Sequence, residues 1–312
     1  MTTKKKRTTK HVVGPIMPLI YGWQLEAMKK SYLSRVPEVN GIVFSNEGSK
    51  GREPLFDASR SKTKDIMAYW NDKEKGILEI SAPEPGYELK TPKTMKAFFY
   101  GAVLSTESPD RSSSRRHRFI NGTSEKFISY LDVSHLDVSK TVNFRGCFWG
   151  FGQSTQSEIK GLETWDVSRG VEFRWMFENA FSDNETVSLD LSSWRFSETA
   201  EINMRSMFSN FASSAKSVTL NLDGWKTSMI ENFTAMFDNF ASKAIEVEVQ
   251  GIEKWVIEHG NCFMFMFRNF ALQSNYQLDL SYWNKKCEAL PGDHYHFSAG
   301  TFFQIKEPKW AN

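Results

Sequence analysis

The chain lacks any apolar run near the 18 or more residues that a membrane-spanning helix needs, and its basic start is not followed by a signal-peptide core. Function without classical secretion and without membrane insertion is expected. Cysteine is scarce, 3 in 312 residues, and Cys147, Cys262 and Cys287 follow no disulfide or metal spacing, so reduced thiols are expected. There is no GxxxxGK phosphate loop, no GxGxxG behind a strand, no HExxH and no nucleophile elbow. GSKGREP at 48–54 lacks the lysine-serine ending of a phosphate loop. Asp293, His294 and His296, with Cys287 nearby, come nearest to a metal cluster, but no paired second element accompanies them. These absences leave no catalytic centre, no metal site and no cofactor to expect. The sequons at Asn121, Asn184 and Asn232 carry little weight without a secretion signal.

What the chain has is a recurring phrase. It reads MKAFFYGA at 95–102, NFRGCFWGFG at 143–152, EFRWMFENAF at 172–181, NMRSMFSNFA at 203–212, NFTAMFDNFA at 232–241 and CFMFMFRNFA at 262–271. Anchored on Phe99, Phe148, Phe177, Phe208, Phe237 and Phe267, with Trp70 of DIMAYWND as a looser first copy, the gaps are 29, 49, 29, 31, 29 and 30 residues. A period of this size marks units that bury their apolar faces only against one another.

Five residues before each anchor stands a side chain such as Asn143, Asn203 or Asn232, of the type that opens a helix. Two residues after it stands Gly150, Asn179, Asn210, Asn239 or Asn269, of the type that tolerates a left-handed backbone and closes one. Apolar side chains at the anchor and four residues earlier share a helical face, and a methionine column (Met176, Met207, Met236, Met266) broadens it. Upstream, alternating pairs such as Leu189/Leu191 and Leu220/Leu222 have strand periodicity, and a Trp column (Trp165, Trp194, Trp225, Trp255, Trp283) follows them. Strand, turn and short helix every 29 residues predict an α/β repeat: a leucine-rich-repeat-like solenoid with a parallel sheet on one face, short helices on the other, and terminal caps.

The stretches LDVSHLDVSKTVNFRGCF and LETWDVSRGVEFRWMF resemble the BspA-like leucine-rich repeats of bacterial and mycoplasmal surface proteins, whose pattern runs strand, Asp-x-Ser, Asn, Met-Phe and a Gly or Cys turn. The resemblance covers roughly 127–284 and, more weakly, 64–102. It implies a solenoid fold and names no single function, since such folds host many.

The organisation expected is a basic tail at 1–10, an N-terminal cap at 11–38, degenerate repeats at 39–102, a Ser/Arg-rich insert at 103–126, regular repeats at 127–284 and a C-terminal cap at 285–312. Net charge is +2, yet the tail alone carries five positive residues, so the remainder is mildly acidic. Two groups of contact residues stand out. One is cationic: Lys4, Lys5, Lys6 and Arg7 in the tail, and Arg111, Arg115, Arg116 and Arg118 in the insert. The other is Asp132, Asp190 and Asp279, in the middle outward position of their strands. The reading is a noncatalytic scaffold for protein–protein interaction, structural or adhesive, in a large assembly such as a virus particle or appendage, with a cytoplasmic location as the alternative. The rival reading is nucleic-acid association through the tail and insert.

Overall fold

In a computed structural model of the protein, the described residues are 11–13, 39–59, 63–99, 128–152, 156–283, 293–301 and 304–308. The basic tail, the Arg-rich insert and Cys287 lie outside them, as does the expected N-terminal cap except for one strand at 11–13. Among the described residues sixteen strands follow in order: β1 His11–Val13, β2 Gly41–Phe44, β3 Phe56–Asp57, β4 Met67–Asp72, β5 Ile77–Ser81, β6 Tyr87–Lys90, β7 Tyr130–Asp132 and β8 Leu136–Asp137. Then come β9 Glu158–Lys160, β10 Thr186–Asp190, β11 Ile202–Asn203, β12 Ser217–Asn221, β13 Ile230–Asn232, β14 Glu246–Gln250, β15 Leu278–Asp279 and β16 Ile305–Lys306. They form five sheets, β3-β4-β5-β2-β7-β9, β1-β6-β8, β10-β12-β14, β11-β13 and β15-β16.

This overturns the expected α/β architecture. Among the described residues there is no α-helix, only two three-residue 3-10 turns, Leu162–Thr164 and Ile252–Lys254. Apart from DIMAYWND, each segment expected as a short helix runs, over its described residues, as a train of turns hydrogen-bonded to the next coil. Around Phe208, the amides of Met204, Ser206, Phe208 and Asn210 donate forward to the carbonyls of Asn232, Thr234, Met236 and Asp238, at 2.8–3.1 Å. The amides between them, of Met207, Ser209 and Phe211, close turns onto Met204, Ser206 and Phe208 at 3.0–3.2 Å. Ser206, Asn210 and Ala212 hold positive φ of 55°, 54° and 48°, which a right-handed helix excludes. The apolar positions recur at the spacing of an amphipathic helix because the turns, too, return the chain to one face after three and four residues. DIMAYWND is a second correction. Met67–Asp72 is a strand, antiparallel to both β3 and β5.

The turn train puts equivalent side chains of successive coils directly above one another, close to the ~4.8 Å separation of hydrogen-bonded chains. Phe99, Phe148, Phe177, Phe208, Phe237 and Phe267 stack with centroids 5.2–5.5 Å apart and planes within 14° of parallel. Trp165, Trp194, Trp225, Trp255 and Trp283 make a second ladder at 5.8–6.5 Å. Three of these indoles also pin neighbouring coils, Trp165 Nε1 donating to the Val133 carbonyl at 3.3 Å, and Trp194 Nε1 to the Leu162 carbonyl and Trp225 Nε1 to the Leu191 carbonyl, both at 2.8 Å. The anchors are fully buried, with Met176, Met207, Met236 and Met266 beside them.

Asp-x-Ser is the turn that ends the main strand. In two coils the register puts Lys160 and Gln250 at the aspartate's position, and at the glycine that follows, Gly161 or Gly251, φ is +91° or +97° and a 3-10 turn begins. A Cβ on Gly251 would come within 2.7 Å of Asp223 backbone atoms, so the coils close there only on glycine. The coil path also outlasts its aromatic anchor. Phe263, Phe265, Phe267 and Asn269 donate to Asp293, Tyr295, Phe297 and Ala299. Positive φ recurs at His296 and Gly300, so Ser298 occupies the anchor position of one more coil.

Truncating one rung removes a fully buried ring from between two others, so Phe208→Ala is expected to lower unfolding stability by about 3–5 kcal/mol in chemical denaturation. A loss under about 1 kcal/mol would show that the rung does not bear on both its neighbours.

Candidate interaction surface

Asp132, Asp190 and Asp279 lie at the ends of β7, β10 and β15, in three different sheets, and the fold does not gather them into a cluster. Each closes a turn, its Oδ1 accepting the amide two residues on, from Ser134 at 3.0 Å, Ser192 at 2.9 Å and Ser281 at 2.9 Å. Asp279 is further bound by Lys306 at 2.7 Å. That lysine, then the Ser281 hydroxyl and amide, hold its carboxyl down at about 2. For Asp190, partial burial acts upward, yet hydrogen bonds from Ser192 and Asn221 keep the carboxyl below its ordinary value. These carboxylates serve the turn first and face solvent second. The cationic candidates, Lys4, Lys5, Lys6, Arg7, Arg111, Arg115, Arg116 and Arg118, lie outside the described residues.

The turn trains carry a surface that the helix reading hid. Three residues before the anchor stand Lys96, Arg145, Arg174 and Arg205, one per coil in four successive coils, partly or fully exposed. Two outward indoles sit among them, Trp149 and Trp175, with centroids 6.0 Å apart. The Arg145 guanidinium lies 4.1 Å from the Trp175 ring centre, a geometry in which the ring quadrupole attracts the cation. Desolvation, and then the neighbouring Arg174, push the Arg145 pKa down. Arg174 forks onto Glu172 at 2.6–2.9 Å. Further along, Arg268 forks onto Asp238 at 2.5 and 2.8 Å and covers Phe265 at 4.6 Å. Phe265 in turn stacks on His296 at 5.7 Å. A basic residue at one fixed place in four successive copies was visible in the sequence, as were rings outside the core columns. What they shared was a coil face, which only the turn geometry reveals.

Glu178 lies half-buried one residue past its anchor. Burial pushes its carboxyl up to about 7, with Arg205 pulling down and Asp238 pushing up. Among the described residues no three His, Cys, Asp or Glu side chains form a metal-holding group, and no helix is long and apolar enough to cross a membrane.

A family model described as "Mycoplasma protein of unknown function, DUF285" matches residues 119–249 and 204–304, overlapping stretches that together take in more than half of the chain. No curated protein and no solved structure matches it.

With a folded pKa near 7 against an ordinary 4.5, Glu178 stabilises the fold when protonated. That contribution is complete below about pH 4.5 and is lost as pH rises through 7. Glu178→Gln is expected to flatten the stability profile across this window and to be more stable than the parent at pH 8 by about 1–2 kcal/mol. Parallel profiles for the two proteins in a pH series of denaturation curves would contradict this.

Proposed function

Since the chain belongs to the family described as Mycoplasma protein of unknown function, DUF285, we propose that it is a noncatalytic repeat scaffold whose task is to present a rigid, extended surface to other proteins. On this reading it is a structural or adhesive component of a larger assembly. The observation that carries the reading is the row of Lys96, Arg145, Arg174 and Arg205 at one coil per residue, interleaved with Trp149 and Trp175. Arg and Trp are the side chains that most often dominate protein interfaces. Here they sit on backbone tied to its neighbours by a hydrogen bond at every second residue, so docking costs little ordering of the chain. The partner this face suits is acidic, with apolar or aromatic groups to lie against the indoles.

The test pairs a turn-side variant with the insert. Replacing Arg145, Arg174 and Arg205 by alanine, or Arg115, Arg116 and Arg118 by alanine, is expected to leave circular dichroism and melting temperature within a few degrees of the parent. The parent isolated from its source is expected to run as a higher-mass species in native mass measurements, and at least one triple is expected to lose it. If both triples assemble as the parent does, the docking reading fails.

A further inference from the structure

The strand column has a seam. β9 and β10 occupy equivalent places in successive coils but belong to different sheets, with no ladder between them. A link across the seam comes from a side chain, Asn184 Nδ2 donating to the Ser157 carbonyl at 2.9 Å. The seam opens into a groove of about 550 Å³ lined by Ser129, Tyr130, Gln156, Glu158, Asn184 and Thr186, among others.

Asn184 is only 3% exposed. Its amide nitrogen is committed to Ser157, and among the described residues no donor reaches its Oδ1. The oxygen is closed off from the groove as well, so Asn184 serves as the tie across the seam and what enters the groove meets the other lining groups. The two carboxylates at the groove each have a cation at hand, Lys160 3.6 Å from Glu158 and Lys216 2.8 Å from Glu185. The site therefore has little net charge to offer an ion. The rest of the lining is hydroxyl, amide and one aromatic ring, Tyr130, held by Lys160 at 5.3 Å from its centre.

An added peptide strand does not fit this seam. Inserting one would set the flanking strands about 9.6 Å apart, two ladder steps, whereas Trp165 and Trp194 of the same two coils remain stacked at 6.5 Å. The space is one for side-chain-sized groups entering from outside.

We propose that the seam groove binds a neutral polyhydroxylated ligand, a short glycan segment. Its apolar face packs against Tyr130, while Gln156, Thr186 and Ser129 exchange hydrogen bonds with the neighbouring hydroxyls. Such a ligand reproduces the hydrogen bonds of the water it displaces, which keeps the exchange favourable. The proposal stands independently of protein docking on the turn side, since the two sets of residues do not overlap.

Saturation-transfer NMR on the full chain, with maltotriose, cellotriose, mannotriose and chitotriose as probes, tests it. At least one probe is expected to receive saturation. Tyr130→Ala and Thr186→Lys, both at solvent-accessible groove positions, are expected to weaken that binding tenfold or more, and Arg205→Ala, on the turn side, to leave it unchanged. No transfer to any of the four probes, or undiminished binding by both groove variants, overturns the proposal.

Discussion

The rest of the structure depends on where the turn-train amides point. In each copy of the phrase, every second N–H donates to a carbonyl of the next coil, while the N–H between closes a turn within its own coil. The first set fixes the separation of the coils and the second folds each coil tightly enough to give a flat rung. Together they leave no freedom of register: Phe177, Phe208, Phe237 and Phe267 must lie face to face. Burying a phenylalanine contributes roughly 1.5–3 kcal/mol, and a favourable ring pair adds about 0.5–1.5 kcal/mol. Since each ring serves two neighbours, no unit is stable alone.

The register explains both what the sequence disclosed and what it concealed. The period, the buried anchors and the Trp column follow from side-chain chemistry, and chemistry is what a sequence records. The backbone of the phrase is not recorded in the same way. Met204, Met207, Phe208 and Phe211 have the spacing of one face of a helix, and the Asn at 203 and 210 mimic its start and stop. The information against a helix lay in Ser206 and Ala212, ordinary residues that adopt positive φ only because the adjoining coils supply bonds across them. The final coil shows the converse. DHYHFSAG lacks the phrase, yet its backbone follows the same path because Phe263, Phe265 and Phe267 supply the amides.

The interaction surface was legible in the same partial sense. Asp132, Asp190 and Asp279 were conspicuous in the sequence because their position recurs, but the recurrence serves a turn, as the Ser134, Ser192 and Ser281 amides show. Arg145 and Arg205 recur at one fixed place, but the rings among them, Trp149 and Trp175, share no column position. Once the turns are in place they form one side of the stack, with a cation over a ring and a second ring beside it. A stack whose interior is repetitive can vary its outer positions freely, and the seam beside Asn184 is where a missing strand pair turns that freedom into a groove.

One hydrogen bond repeated in each coil sets the rungs, and through-bond NMR reads it directly. In perdeuterated protein, a scalar coupling across the hydrogen bond should connect the Phe208 amide nitrogen to the Met236 carbonyl carbon, since that carbonyl oxygen lies 2.8 Å from the nitrogen. A coupling from Phe208 to the Met204 carbonyl instead, four residues back in its own segment, would mean that the phrase is helical and that the rungs are not joined as described.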